Sequence, residues 1–134
     1  MDIQVATLCD SAMDYNSKLC VLGTFDTIGS RTLPVLHRNC VLALRVCFRP
    51  TDEGQHNLSI RIIDVDGKDV IPALPPVQFE VRLPQDVDFV TRNMILHFEA
   101  LKFDQPGTFS IEISVDGNEL SSIPLRVVYM PAQG

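Results

Sequence analysis

The chain has 134 residues, of which 46% are hydrophobic and 21% are charged; this length corresponds to about one domain. Such a composition excludes disordered, collagen-like and low-complexity chains. Seventeen acidic and eleven basic residues give a net charge of -6. Because the basic residues are scattered, we expect neither nucleic acid nor an anionic membrane as a partner.

The chain is expected to be cytoplasmic, with residues 1–134 forming a single β-sandwich domain. Its longest apolar run is the five-residue segment Cys40–Leu44, whereas a membrane span needs about 18 residues. The start at Met1 and Asp2 has no basic region of the kind that opens a signal peptide.

The first half of the chain predicts four strands. Apolar residues predict strands over Ile3–Leu8, Leu19–Ile28 and Val41–Phe48. In the third of these, every second residue would face a core: Leu42, Leu44, Val46 and Phe48. Leu58, Ile60 and Ile62 alternate in the same way, and Asp66-Gly67 then predicts a turn towards a returning strand at Val70–Ile71.

The segment Gln85–Phe103, which follows a predicted strand at Val77–Leu83, is ambiguous. A helical stripe and a strand alternation both fit its apolar residues. We favour a strand with Met94, Leu96 and Phe98 facing inward, because an isolated helix fits poorly among short strands. Ile95, Leu101 and Phe103 would then face outward.

The last part of the chain predicts a hairpin. Phe109, Ile111, Ile113 and Val115 alternate with polar residues, which is typical of a strand with one face on a core. Asp116-Gly117 is a turn dipeptide, and Leu120–Met130 is the returning strand. Within it, Pro124 indicates a bulge or an edge position.

Together these segments predict an all-β fold, an antiparallel β-sandwich of about seven or eight strands that is immunoglobulin-like. The residues from Leu101 to Ile111 resemble the corner before the penultimate strand of such sandwiches. Phe109 and Ile111 stand where that corner normally has Tyr and Cys, and the chain has no Trp.

The four cysteines are predicted to be buried structural thiols with no disulfide. Cys9, Cys20, Cys40 and Cys47 contain no CxxC pair of the kind that zinc sites use. A cytosolic location would keep them reduced.

Candidate chemical groups are few. Asp64, Asp66 and Asp69 surround a turn, but an EF-hand loop starting at Asp64 would end at Pro75 instead of a bidentate Glu. No spacing links His37, His56 or His97 to a cysteine, and there is no nucleophile elbow or phosphate loop. The sequence therefore predicts no enzyme, and no catalytic, cofactor or metal residue.

Apolar residues on outward faces predict a partner. Val128 and Met130, the connection Leu74–Val77, and the three outward residues of the segment before Phe103 have no obvious cover. Since the chain predicts no helix to cover a second apolar sheet face, another subunit is expected to do so.

Four segments in order resemble a known family: Val5–Ala12, Lys18–Ile28, Ile63–Gly67 and Ile123–Val128. The chain resembles an uncharacterised bacterial domain family of small cytoplasmic proteins of unknown function. The resemblance covers nearly the full length and implies no activity, cofactor or functional residue.

Three functions follow as hypotheses. The first is a non-catalytic protein-interaction or structural module, which forms a homo-oligomer or binds an unidentified protein through an apolar sheet face or an edge strand. The alternative is a sandwich that binds calcium or a small ligand with acidic loops around Asp64–Asp69 and Asp86–Asp88. A thiol enzyme or hydrolase ranks third.

Overall fold

The structure is a computed structural model that describes residues 1–72 and 74–130. The C-terminal end of the predicted domain, residues 131–134, and residue 73 lie outside this part of the chain. The described residues form nine strands, more than the seven or eight predicted, and one short 3₁₀ helix at Pro50–Asp52. The strands are β1 (Asp2–Tyr15), β2 (Lys18–Phe25), β3 (Thr27–Ser30), β4 (Val35–Phe48), β5 (Gly54–Ile63), β6 (Val77–Val81), β7 (Val90–Phe103), β8 (Gly107–Val115) and β9 (Asn118–Tyr129).

The strands form two sheets. The first sheet has the order β2-β1-β4-β7, and the second has the order β3-β9-β8-β5-β6. The predicted strand Leu19–Ile28 is divided at Asp26, so β2 lies in the first sheet and β3 in the second. The pairing is antiparallel except between β3 and β9, which run parallel. This one pair departs from the antiparallel pairing that the sequence predicted.

One hydrophobic core lies between the sheets and takes residues from both. The predicted inward residues of β8 contribute, and so do those of β4; all are buried (Phe109, Ile111, Ile113 and Val115; Leu42, Leu44, Val46 and Phe48). Among the described residues, no polar or charged residue is buried. Apolar burial is thus the main stabilising contribution.

The inward faces of β4 and β7 change over at Asn39. Val35, before Asn39, and Cys40, after it, both point into the core. On a regular strand, two residues five positions apart would point to opposite faces. Asn39 has a φ of 57°, which interrupts the strict alternation of a regular strand. On the paired strand β7, Leu101 and Phe103 lie opposite His37 and Val35 and are buried. The prediction that these two residues face outward was therefore wrong.

The two predicted hairpins had different outcomes. The hairpin of β8 and β9 is confirmed, with positive φ at both Asp116 and Gly117. The predicted return at Val70–Ile71 was wrong, because one bridge between Ile63 and Asp69 is followed by no strand. Pro72, Pro75 and Pro76 lack the N–H groups that a ladder needs, and β6 pairs with β5 instead. Pro124 lies on β9 just before the stretch that pairs with β3, so its missing N–H interrupts no pairing with β3.

Within residues 1–72 and 74–130, no helix has the length and apolar character needed to cross a membrane.

Candidate functional site

A long hairpin formed by β1 and β2 extends beyond the first sheet. Its turn is a two-residue loop at Asn16 and Ser17, which both have positive φ, with Tyr15 paired to Lys18. The Asp14 carboxylate accepts a hydrogen bond from the Ser17 N–H at 3.1 Å. Positive φ at both loop residues is the geometry that matches the twist of a hairpin.

The hairpin leaves the sheet at Asp10 and Gly23. β1 pairs with β4 only as far as Cys9, yet it pairs with β2 as far as Tyr15. Gly23 has a φ of 70°, and a Cβ there would lie 2.6 Å from the Asp10 Oδ2 atom. The positive φ favours glycine here, and a Cβ would force the Asp10 carboxylate to move.

The inner face of the hairpin covers the outer face of the first sheet. Ala12 and Leu19 pack against the buried residues Cys9, Val41 and Ala43, together with Ile95. The hairpin tip is held by two hydrogen bonds. Arg45 Nη1 donates to the Ser17 carbonyl at 2.9 Å, and Asn93 Nδ2 donates to Asp14 Oδ2 at 2.8 Å. The cover expected from another subunit is thus supplied at Ile95 by the chain itself.

The outer face of the hairpin is apolar and exposed. Directly opposite residues of paired strands share a face, so the register of β1 and β2 places six residues on this side, here called the hairpin face: Ser11, Met13, Tyr15, Lys18, Cys20 and Leu22. Met13, Tyr15 and Leu22 are 54%, 57% and 71% exposed. The six include no carboxylate, and three of them lie on β2, which is an edge strand of the first sheet.

Sequence reasoning missed this surface. The predicted strands Ile3–Leu8 and Leu19–Ile28 left the residues between them unassigned. The signal that could have found it is the pair Asn16-Ser17 between two alternating segments, since asparagine tolerates positive φ in short hairpin loops.

The cysteines are free, as predicted, but only three are buried. Cys9, Cys40 and Cys47 are buried and Cys20 is exposed, because Cys20 lies on the hairpin face. Burial raises the pKa of the Cys9 thiol and raises the pKa of Cys40 to about 11. These two thiols therefore remain protonated at neutral pH, which does not favour a nucleophilic role.

His56 is held by oxygen atoms on both sides of its ring. Its Nδ1 lies 2.6 Å from Asp116 Oδ2, and its Nε2 lies 2.6 Å from the Asp52 carbonyl oxygen. The hydrogen bond to Asp116 is the main reason why the pKa of His56 is raised, and it also lowers the pKa of Asp116. An imidazolium, which donates from both nitrogens, fits this site. The His37 ring packs against Phe25 at a tilt of 52°, with ring centroids 5.3 Å apart, and His97 is exposed.

The acidic loop Asp64–Asp69 has partners within the chain. Asp64 Oδ1 accepts hydrogen bonds from the N–H groups of Asp66 and Lys68, and Asp69 pairs with Arg61 at 2.9 Å. The other acidic loop, Asp86–Asp88, lies between β6 and β7. In the part of the chain that the structure describes, no three His, Cys, Asp or Glu side chains are grouped to hold a metal ion.

A cavity of about 550 Å³ lies beside the first acidic loop. Asp64, Asp69 and Asp104 are among the residues that line it, and so are Phe103 and Phe109, whose rings are tilted by 41° with centroids 5.0 Å apart. Its volume falls in the range of small-molecule sites.

The other apolar residues that the sequence placed on outer surfaces are partly exposed. Leu74, Val77 and Met130 are exposed, and Val128 is half-buried. They are distributed over a connection, the edge strand β6 and the end of β9. The hairpin face is therefore the more continuous apolar surface.

Comparison with known proteins places the chain in a family. The search of curated proteins found no match for it. A family model described as a family of unknown function, DUF6941, matches residues 4–128. Because this match covers nearly the whole chain, the protein belongs to that family of unknown function, DUF6941.

Proposed function

We propose that the protein is a non-catalytic protein-interaction module that binds an extended segment of a protein chain along β2 and against the hairpin face. The observation that carries this proposal is the exposed apolar surface of Met13, Tyr15 and Leu22 next to a sheet edge. No strand in residues 1–72 and 74–130 pairs with the outer edge of β2. An added strand would take up its backbone donors and acceptors, while apolar side chains would cover the hairpin face.

The geometry of β2 supports a strand as the occupant. An edge strand is usually protected by charges, proline or short length. From Leu19 to Leu22, β2 carries no charged residue and no proline. The other edges are protected: β3 has four residues, β6 lies between prolines, and β7 carries charged side chains.

The test is co-purification from the host with two matched variants. Leu22→Glu places a charge on the hairpin face, whereas Val65→Glu places one on a side chain that is 82% exposed in the distant turn after β5. We expect mass spectrometry to identify proteins that are retained by the wild type and by Val65→Glu and lost with Leu22→Glu. Identical retention by all three proteins, with untagged copies of this chain counted among the retained proteins, would refute the proposal.

The strand order supports an immunoglobulin-like arrangement within this proposal. In immunoglobulin sheets the last, penultimate and third strands are neighbours in that order. The order β9-β8-β5 in the second sheet matches it, with β5 in the place of the third strand. Such folds serve widely in protein binding, although fold alone does not decide function. We also propose a cytoplasmic location, consistent with four free thiols. A bacterial origin remains a prediction.

A second candidate function is ligand binding in the 550 Å³ cavity, and the cavity itself is the observation that favours it. The ligand would be calcium or a small cation with an apolar part, because three aspartates and two phenylalanines are among the residues that line the space. Titrations with CaCl₂ and with butylammonium chloride, followed by amide NMR shifts at Val70 and Gly107, test it. Shifts confined to cavity residues are expected, and spectra unchanged at millimolar concentration would reject it.

A further inference from the structure

We infer that the segment bound along β2 is the β2 strand of a second copy of this chain, paired antiparallel about a two-fold axis at Cys20. The inference rests on the proposed function and names its partner. The two hairpins would join into one sheet of four strands in the order β1-β2-β2-β1, with both hairpin faces on the same side.

Symmetry restricts how two β2 strands can pair. A two-fold axis perpendicular to the sheet keeps the hairpin faces of both copies on one side. Residues directly opposite each other must then come from the same face of β2. The permitted registers are therefore those in which one residue lies opposite itself.

The regular part of β2 selects one of these registers. It is bounded by the turn residues Asn16 and Ser17 on one side and by Gly23 on the other, all with positive φ. The regular stretch is thus Lys18–Leu22, and its middle residue is Cys20. Only with Cys20 opposite the partner's Cys20 do all the residues of the stretch pair. Lys18 then lies opposite the partner's Leu22, and Leu19 opposite the partner's Val21.

Charge favours a second copy at this surface over contact elsewhere. The chain has a net charge of -6, so two copies repel each other through most approaches. The hairpin face has no carboxylate and carries one cation, Lys18. In the inferred register the Lys18 side chain can extend its methylene groups over the partner's Leu22 and keep its ammonium group in water.

The exposed thiol reports this register directly. Opposite Cβ atoms in an antiparallel pair lie about 4.5–5.5 Å apart, close to the separation that a disulfide spans. Diamide would therefore link Cys20 to the partner's Cys20. The two thiols give up two protons and two electrons, the S–S bond forms, and diamide is reduced to its hydrazine. Cys9, Cys40 and Cys47 are buried and serve as internal controls.

The experiment combines sedimentation equilibrium with cross-linking of the purified chain. We expect a reversible dimer, a diamide-linked dimer on a non-reducing gel, and loss of that link with retention of the dimer in Cys20→Ser. Leu22→Glu should raise the dimer dissociation constant at least about tenfold, corresponding to about 1.4 kcal/mol, and Val65→Glu should leave it unchanged.

A mixing experiment tests the register. In a Cys20→Ser background, a mixture of Lys18→Cys and Leu22→Cys should cross-link, whereas neither variant alone should do so. Cross-linking of Leu22→Cys alone would refute the register. A monomer up to about 1 mM would refute the inference as a whole. If the monomer still retains host proteins through Leu22, the proposed function stands and only its partner is wrong; if it retains none, both fail.

Discussion

Arg45 is predicted to hold the hairpin over the outer face of the first sheet. Its guanidinium donates to the Ser17 carbonyl at 2.9 Å, to Asn93 Oδ1 at 2.7 Å and to Thr91 Oγ1 at 2.9 Å. Arg45→Met keeps the apolar stem and removes all three donors. A hydrogen bond to a charged group contributes about 1.5–3 kcal/mol.

The three contributions should not add, because Ser17 is exposed and Thr91 and Asn93 are only half-buried. Water can replace much of what their oxygens lose. We therefore expect the free energy of unfolding to fall by about 1.5–3 kcal/mol, the value of one such bond. The effect should be largest on local opening of the hairpin, because this opening breaks the Arg45 hydrogen bonds in the wild type and has none of them to break in the variant.

Amide hydrogen exchange measures this local opening. The amides of residues 10–23 should exchange roughly tenfold to a hundredfold faster in Arg45→Met, as 1.4 kcal/mol corresponds to a factor of ten, while β8 amides change only with global stability. Arg61→Met is the control, because its pair with Asp69 is about half exposed and is worth at most about 1 kcal/mol. If both variants exchange alike within the hairpin, Arg45 does not anchor it.

Three further predictions concern the rest of the fold. Since the pKa of His56 is raised, stability from its pair with Asp116 is fully present below pH 6.5 and is lost as the pH rises through the raised pKa; urea unfolding from pH 6 to 8 should show a steeper decline than in His56→Gln, and parallel curves would contradict this. Because Asn39 has a φ of 57°, Asn39→Val should lower the free energy of unfolding by about 1–2 kcal/mol, whereas Asn39→Gly should not lower it. Equal midpoints of the two variants in chemical denaturation would contradict this. Phe103→Ala should cost about 3–5 kcal/mol and the exposed Phe89→Ala about 0.5 or less; similar melting curves would place Phe103 outside the core.

Local patterns predicted most of the strands. The alternation from Phe109 to Val115 and the pair Asp116-Gly117 were sufficient to predict β8, its turn and β9, because a period of two and positive φ are properties of neighbouring residues. The segment 85–103 fitted a helix equally well by periodicity. Its assignment as a strand depended on the all-β character of the rest of the chain.

The candidate site was much less predictable. The sequence indicated that both faces of the central strands are apolar, but it could not show that residues 10–23 fold over one of them. That cover depends on contacts between residues far apart in the chain, such as Asp14 with Asn93 and Ser17 with Arg45. The exposed position of Cys20 depends on the same fold.

By itself, the sequence determined an all-β chain with free thiols, an aliphatic core and turns at its Asp-Gly and proline-rich segments. These features follow from side-chain chemistry and short-range backbone preference. Only the tertiary structure decided which apolar face is covered by the chain itself and which is exposed. One residue at positive φ, Asn39, exchanges the two faces of a strand, and one bend at Gly23 turns a whole hairpin out of the sheet. Each effect depends on the backbone angles of a single residue, which the periodicity of the side chains does not predict.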